Sequence, residues 1–128
     1  MRNLLRITVL AVVLAACGDS TGTNDGHPGV LDRMFLYNPQ INFDVGDSYV
    51  FANYWKAYDG VGTEMPVDSI GLRYSLGDSL APAGVVGGGA ITLKVPFIGF
   101  LYVFAPTSRA PLERLGKHYI TVNDTTAF

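Results

Sequence analysis

The sequence predicts an all-β protein, a β-sandwich of about seven strands. Three observations lead to it. From about Val30 to Asn123, apolar and polar residues alternate with a period of two. β-Branched and aromatic residues dominate that stretch, and no segment sustains a helical period. Gly, Pro, Asn and Asp punctuate it about every eight to twelve residues, the spacing of turns between short strands. The stretch is long enough for one small domain and too short for two.

The strands follow in order. Ile41, Phe43 and Val45 alternate with Asn42 and Asp44, and Gly46-Asp47 makes a turn. Tyr49 to Tyr58 reads as one long strand. Its odd face (Tyr49, Phe51, Asn53, Trp55, Ala57) points inward, because Lys56 on the even face prefers water. Tyr54 and Tyr58 then face outward, and Asn53 needs hydrogen-bond partners or a bulge that turns it out. Asp59-Gly60 turns the chain. Ile70, Leu72 and Tyr74 alternate with Gly71, Arg73 and Ser75. Gly77 to Gly89 is loop-rich with a short strand at Val85-Val86, and Gly87-Gly88-Gly89 is a permissive turn. Ile91–Val95 and Phe100–Ala105 are strands joined by a turn at Pro96–Gly99. Lys117–Val122 closes the domain, with His118, Ile120 and Val122 on one face and Tyr119 and Thr121 on the other. A membrane barrel does not fit, since eight strands of about nine to eleven residues plus turns exceed the available length.

Ahead of the domain, Arg2 and Arg6 precede an apolar run from Ile7 to Ala16, about half the length of a membrane-spanning helix. Leu14-Ala15-Ala16-Cys17 follows, and Cys17 is the only cysteine of the 128 residues. This resembles the bacterial lipoprotein signal, whose box is Leu-small-small-Cys. The resemblance implies removal of residues 1–16, a diacylglyceryl thioether on Cys17 and an acyl chain, typically palmitate, on its new amine. Two or more chains anchor stably where one does not. The alternative is an ordinary secretory signal that contains a cysteine. With Asp19 one position beyond the residue after Cys17, outer-membrane delivery is favoured over inner-membrane retention. Residues 17–29 contain GDSTGTNDGHPG, a flexible tether in which His27 takes no role, and 124–128 form a short tail. Without Arg2 and Arg6 the chain carries seven Lys/Arg against eleven Asp/Glu, about −4, which argues against nucleic acid as a partner.

The order of punctuation in the domain resembles the bacterial immunoglobulin-like group 2 module of intimin- and invasin-type surface proteins. The matching pieces are Val45-Gly46-Asp47, Tyr58-Asp59-Gly60, Tyr74-Ser75-Leu76-Gly77-Asp78 and Ala83-Gly84-Val85-Val86. Gly89-Ala90-Ile91-Thr92, Gly99-Phe100-Leu101-Tyr102-Val103 and Ile120-Thr121-Val122 continue the series. Tyr74 stands where the family has Trp, and the stretch from Ala105 to Lys117 is longer than usual. The resemblance implies an immunoglobulin-like sandwich with a structural or adhesive role toward an envelope protein or glycan.

No catalytic motif is present: no nucleophilic cysteine in the domain, no Gly-x-Ser-x-Gly elbow and no phosphate-cradling loop. His118, the domain's one histidine, reads as a structural residue rather than a general base. The histidine and cysteine content does not make a zinc site. Asp44, Asp47, Asp59, Asp68 and Asp78 raise calcium, but they read as turn formers, so no metal or cofactor is expected. Two loops are candidate binding elements. The first carries Asp59, Glu64 and Asp68; the second carries Arg109, Glu113 and Arg114, with Lys117 just beyond. An immunoglobulin topology puts both at one pole, where they either pair or are solvated independently. Tyr54 and Tyr58 are candidates for stacking on sugar rings or for packing within their own sheet. The expected protein is non-enzymatic and lipid-anchored at the envelope. The alternatives are a carbohydrate-binding module using strand aromatics and a small periplasmic enzyme built around His118.

Overall fold

The computed structural model describes residues 26–124, so Cys17, the expected leader and most of the expected tether lie outside the described residues. The fold is all-β and sandwich-like. Among the described residues ten strands run in order: β1 (Leu31–Leu36), β2 (Asn42–Asp44), β3 (Ser48–Val50), β4 (Trp55–Asp59), β5 (Glu64–Met65), β6 (Arg73–Leu76), β7 (Gly84–Val85), β8 (Ala90–Thr92), β9 (Phe97–Ala105) and β10 (Glu113–Asn123). They form a sheet β1-β4-β5, a sheet β2-β10-β9-β6-β7 and a pair β3-β8. The contacts are antiparallel except that β2 runs parallel to β10.

The closing strand behaves as its alternation predicts. His118, Ile120 and Val122 are buried, and Tyr119 is exposed. Leu101 and Val103 of β9 join them inside, together with Phe43, Tyr49, Phe51, Trp55, Leu72 and Leu93 from the other elements. Gly116 matters to this packing, because a Cβ there would lie 2.8 Å from Trp55 Cζ3. Only a hydrogen at that position lets the indole of β4 close against β10.

The long strand expected from Tyr49 to Tyr58 is broken. Phe51–Asn53 forms a single 3-10 turn between β3 and β4. Three residues per turn bring positions i and i+3 onto one side, so Phe51 and Tyr54 both point inward and Asn53 turns out to solvent. Period-two burial resumes at Trp55 and Ala57. The break corrects the outward placement of Tyr54. Its ring is buried and stacks on Tyr49 with centroids 4.7 Å apart. The turn is held from outside by Tyr37, whose hydroxyl donates to the Ala52 carbonyl at 2.8 Å.

Other boundaries move too. β1 has no counterpart among the predicted strands, and β9 already begins at Phe97, inside the turn expected at Pro96–Gly99. β10 begins at Glu113, so Arg114 stands on a strand rather than a loop. Glu64 likewise belongs to β5. Gly87–Gly89 makes the expected turn, with positive φ at Gly88 and Gly89 and a bridge from Gly87 to Ala90. The last residues of the expected tether, 26–29, are hydrogen-bonded to the domain. Gly26 N–H donates to the Gly60 carbonyl, Gly60 N–H to the His27 carbonyl, and Gly29 N–H to Asp59 Oδ2. Residues 26–29 are therefore pinned to the β4–β5 turn.

Candidate functional site

The second candidate loop reaches β1, beside the strand that leads into the first, and not the acids of the first loop. β1 and β4 shift register between Leu31 and Arg33, whose partners are the neighbouring Asp59 and Tyr58. The unpaired residue is Asp32, fully buried. Arg109 reaches it from the β9–β10 connection: Nη1 donates to Asp32 Oδ1 and Nη2 to the Asp32 carbonyl, each at 2.5 Å. Arg109 Nε donates to Glu113 Oε1 at 3.0 Å, and Thr107 Oγ1 donates to the same oxygen at 2.7 Å. These carboxylates hold the Arg109 guanidinium pKa above its ordinary value, with Asp32 the larger cause. Asp32 Oδ2 accepts no hydrogen bond among the described residues; Arg33 Nη1 stands 3.8 Å from it.

The acids predicted to face Arg109 have other partners. Asp59 closes its own turn, accepting from the N–H groups of Gly29, Val61 and Thr63. Those donors, Gly29 foremost, favour the ionised carboxylate and lower its pKa. Glu64 lies 3.5 Å from Lys56 on the neighbouring strand. Asp68 sits in a 3-10 turn, with its Cβ close under Gly89. An opposed acidic and basic loop is thus replaced by one buried pair, Asp32 with Arg109. Replacing Asp59 with Ala is expected to release the turn, which amide exchange at Gly29, Val61 and Thr63 would report as faster exchange than in the wild type. A depressed carboxyl pKa contributes stability above the ordinary carboxylate range and loses it as pH falls through the folded value. Unchanged protection of all three amides would contradict that role.

The remaining candidates divide between core and surface. Tyr58 is half-buried, with the Phe35 ring edge-on at 5.7 Å and the Arg33 guanidinium 5.0 Å above it. It packs within its sheet and offers no free ring strip with the buried Tyr54. His118 is buried with both ring nitrogens engaged. Its Nε2 lies 2.6 Å from the Gln40 carbonyl, which only accepts, so Nε2 carries the proton. Nδ1 then accepts from the Tyr49 hydroxyl at 2.6 Å, and Trp55 Nε1 donates to the Tyr49 oxygen at 3.0 Å. Burial lowers the His118 pKa and raises that of Tyr49, which keeps both neutral.

The open face lies on β9 and β10, facing away from the core. Register pairs Lys117 with Tyr102, Tyr119 with Phe100 and Thr121 with Ile98. Phe100 stands 6.0 Å from Tyr102 and 5.5 Å from Tyr119. Lys117 Nζ sits 4.5 Å from the Phe100 centroid, and the Arg114 guanidinium 5.8 Å from that of Tyr102. Phe100, Tyr102 and Tyr119 were legible as outward residues from the alternation with Leu101, Val103, His118 and Ile120, yet only Tyr54 and Tyr58 stood out as a row. Asp32 left no such signal, since a bulge residue follows no period. In comparison with known proteins, no family model matches this chain, and no curated protein or solved structure matches it.

Proposed function

We propose that this chain is a lipid-anchored, non-enzymatic protein of the bacterial cell envelope whose β-sandwich serves adhesion or protein interaction. The observation that carries the proposal is Leu14-Ala15-Ala16-Cys17 at the end of a short apolar run behind two arginines. The described domain is compatible with it. Residues 26–29 tie the incoming chain to the β4–β5 turn, so an anchor at Cys17 would hold the sandwich by that end. The interior polar groups support a binding role over a catalytic one. His118 spends both nitrogens on Tyr49 and Gln40, and Asp32 is committed to Arg109. An acid or base needs a group free to exchange a proton with substrate.

Expression of the full chain in a bacterium, followed by fractionation and mass spectrometry of Cys17, tests the anchor. The wild type is expected in the membrane fraction with a diacylglyceryl and acyl mass at Cys17, and Cys17→Ser is expected to leave that fraction. An unlipidated wild type, or a Cys17→Ser protein still firmly membrane-bound, would sink the proposal.

A further inference from the structure

The outer face of β9 and β10 carries a concentration of positive charge that the composition of the chain hides. In the sheet, Arg73 pairs with Phe104, which also pairs with Arg114, and Lys117 pairs with Tyr102, so the three cations share the outward side. Arg114 and Lys117 are exposed. Among the described residues neither meets a carboxylate: Arg114 donates to the Ser79 carbonyl at 3.1 Å, and Lys117 rests on Phe100. The nearby acids make their hydrogen bonds to other groups. Glu113 binds Arg109, and Asp78 Oδ1 accepts from the N–H groups of Leu80 and Ala81 in its own loop. Asp44, opposite Asn123, lies about 20 Å of strand from Lys117.

Arg114, Lys117, Tyr102, Ser79 and Gly116 border a surface recess of about 350 Å³. Cation–π contacts hold both cations over rings, so little side-chain freedom remains to be lost when an anion arrives. Beyond the recess, Tyr119 is 42% exposed and Ile98 is 74% exposed, which continues the face with flat apolar surface. β9 and β10 are interior strands of the five-stranded sheet, and β2 covers the outer edge of β10 at Thr121–Asn123.

We propose that this face binds an acidic polysaccharide. A carboxylate of the glycan enters the recess between Arg114 and Lys117, and the adjoining sugar ring lies on Tyr119. This names a ligand class for the binding role proposed above and rests on it, but it does not depend on the lipid.

Full-length chain in detergent, immobilised and exposed to polygalacturonate, provides the test, with the fully methyl-esterified polymer as the neutral control of the same ring structure. Binding is expected to polygalacturonate, weaker in high salt, and weaker by about tenfold or more for the ester. Arg114→Ala with Lys117→Ala should lower binding by a similar factor, and Lys117→Glu and Tyr119→Ser should each lower it with an unchanged melting temperature. No binding, equal binding of the ester, or full binding by the double variant overturns the proposal. Tighter binding to phosphatidylglycerol vesicles than to polygalacturonate overturns it in favour of a membrane surface. Loss of glycan binding leaves the lipid mass at Cys17 unaffected, so the two proposals fail separately.

Discussion

Replacing Arg109 with Ala is expected to cost the domain about 3 kcal/mol of stability. The reason is the carboxylate it leaves behind. Asp32 is fully buried at the β1 bulge, one of its oxygens already lacks a hydrogen bond among the described residues, and Arg109 supplies two of the donors at this residue. Breaking a buried pair from one side typically costs about 3–5 kcal/mol, and the lower end applies because the guanidinium is itself partly exposed. For a domain of this size that is a fall in melting temperature of about 4–8 °C per kcal/mol. The same substitution removes two hydrogen bonds that tie the β9–β10 connection to β1. Removing both charges at once with Asp32→Leu and Arg109→Met should recover much of the loss, because an apolar pair leaves nothing buried and unpaired. Urea unfolding of the two variants would decide the matter. An Arg109→Ala protein within about 0.5 kcal/mol of wild type would mean that the pair holds nothing together.

The second large effect is expected at His118, and it depends on pH. Burial depresses the imidazole pKa below its ordinary 6.5. Between the folded value and 6.5 the unfolded chain therefore binds a proton that the folded chain refuses. Stability is complete above that window and declines as the pH falls through it, by up to about 1.4 kcal/mol per pH unit for one proton. Protonation would also put a hydrogen on Nδ1, where the Tyr49 hydroxyl now donates. His118→Phe should flatten the decline between neutral and mildly acid pH. It should also cost about 2–4 kcal/mol at neutral pH, by leaving the Gln40 carbonyl and the Tyr49 hydroxyl without their partner. Chemical denaturation of both proteins at several pH values measures this. A slope that survives in His118→Phe would assign the pH dependence to another group.

Both effects involve partners far apart in sequence, which decides how much could be seen beforehand. The burial of His118 was legible, because it shares the inward side of an alternating strand with Ile120 and Val122. Its partners were not: Tyr49 lies 69 residues away and Gln40 lies 78 away. Tyr54 misled for a local reason. Alternation assumes that a strand continues, and one 3-10 turn at Phe51–Asn53 shifts every residue after it until a new strand begins. Arg109 was legible as a candidate, but the acid it meets was not. The acids that share its predicted pole satisfy their own turns or strands, and a bulge brings Asp32 to it instead.

The sequence by itself determines the all-β class, the turns at Gly46-Asp47 and Gly87–Gly89, and the inward side of the closing strand. Each follows from side-chain sterics over a few neighbouring residues, and those act wherever the segment sits. Only the tertiary structure decides which strands become neighbours, that residues 26–29 bind the β4–β5 turn, and that Lys117, Arg114, Phe100, Tyr102 and Tyr119 gather on one face. Such assembly is set by register and packing between distant segments, where a shift of one residue exchanges the buried side for the exposed one.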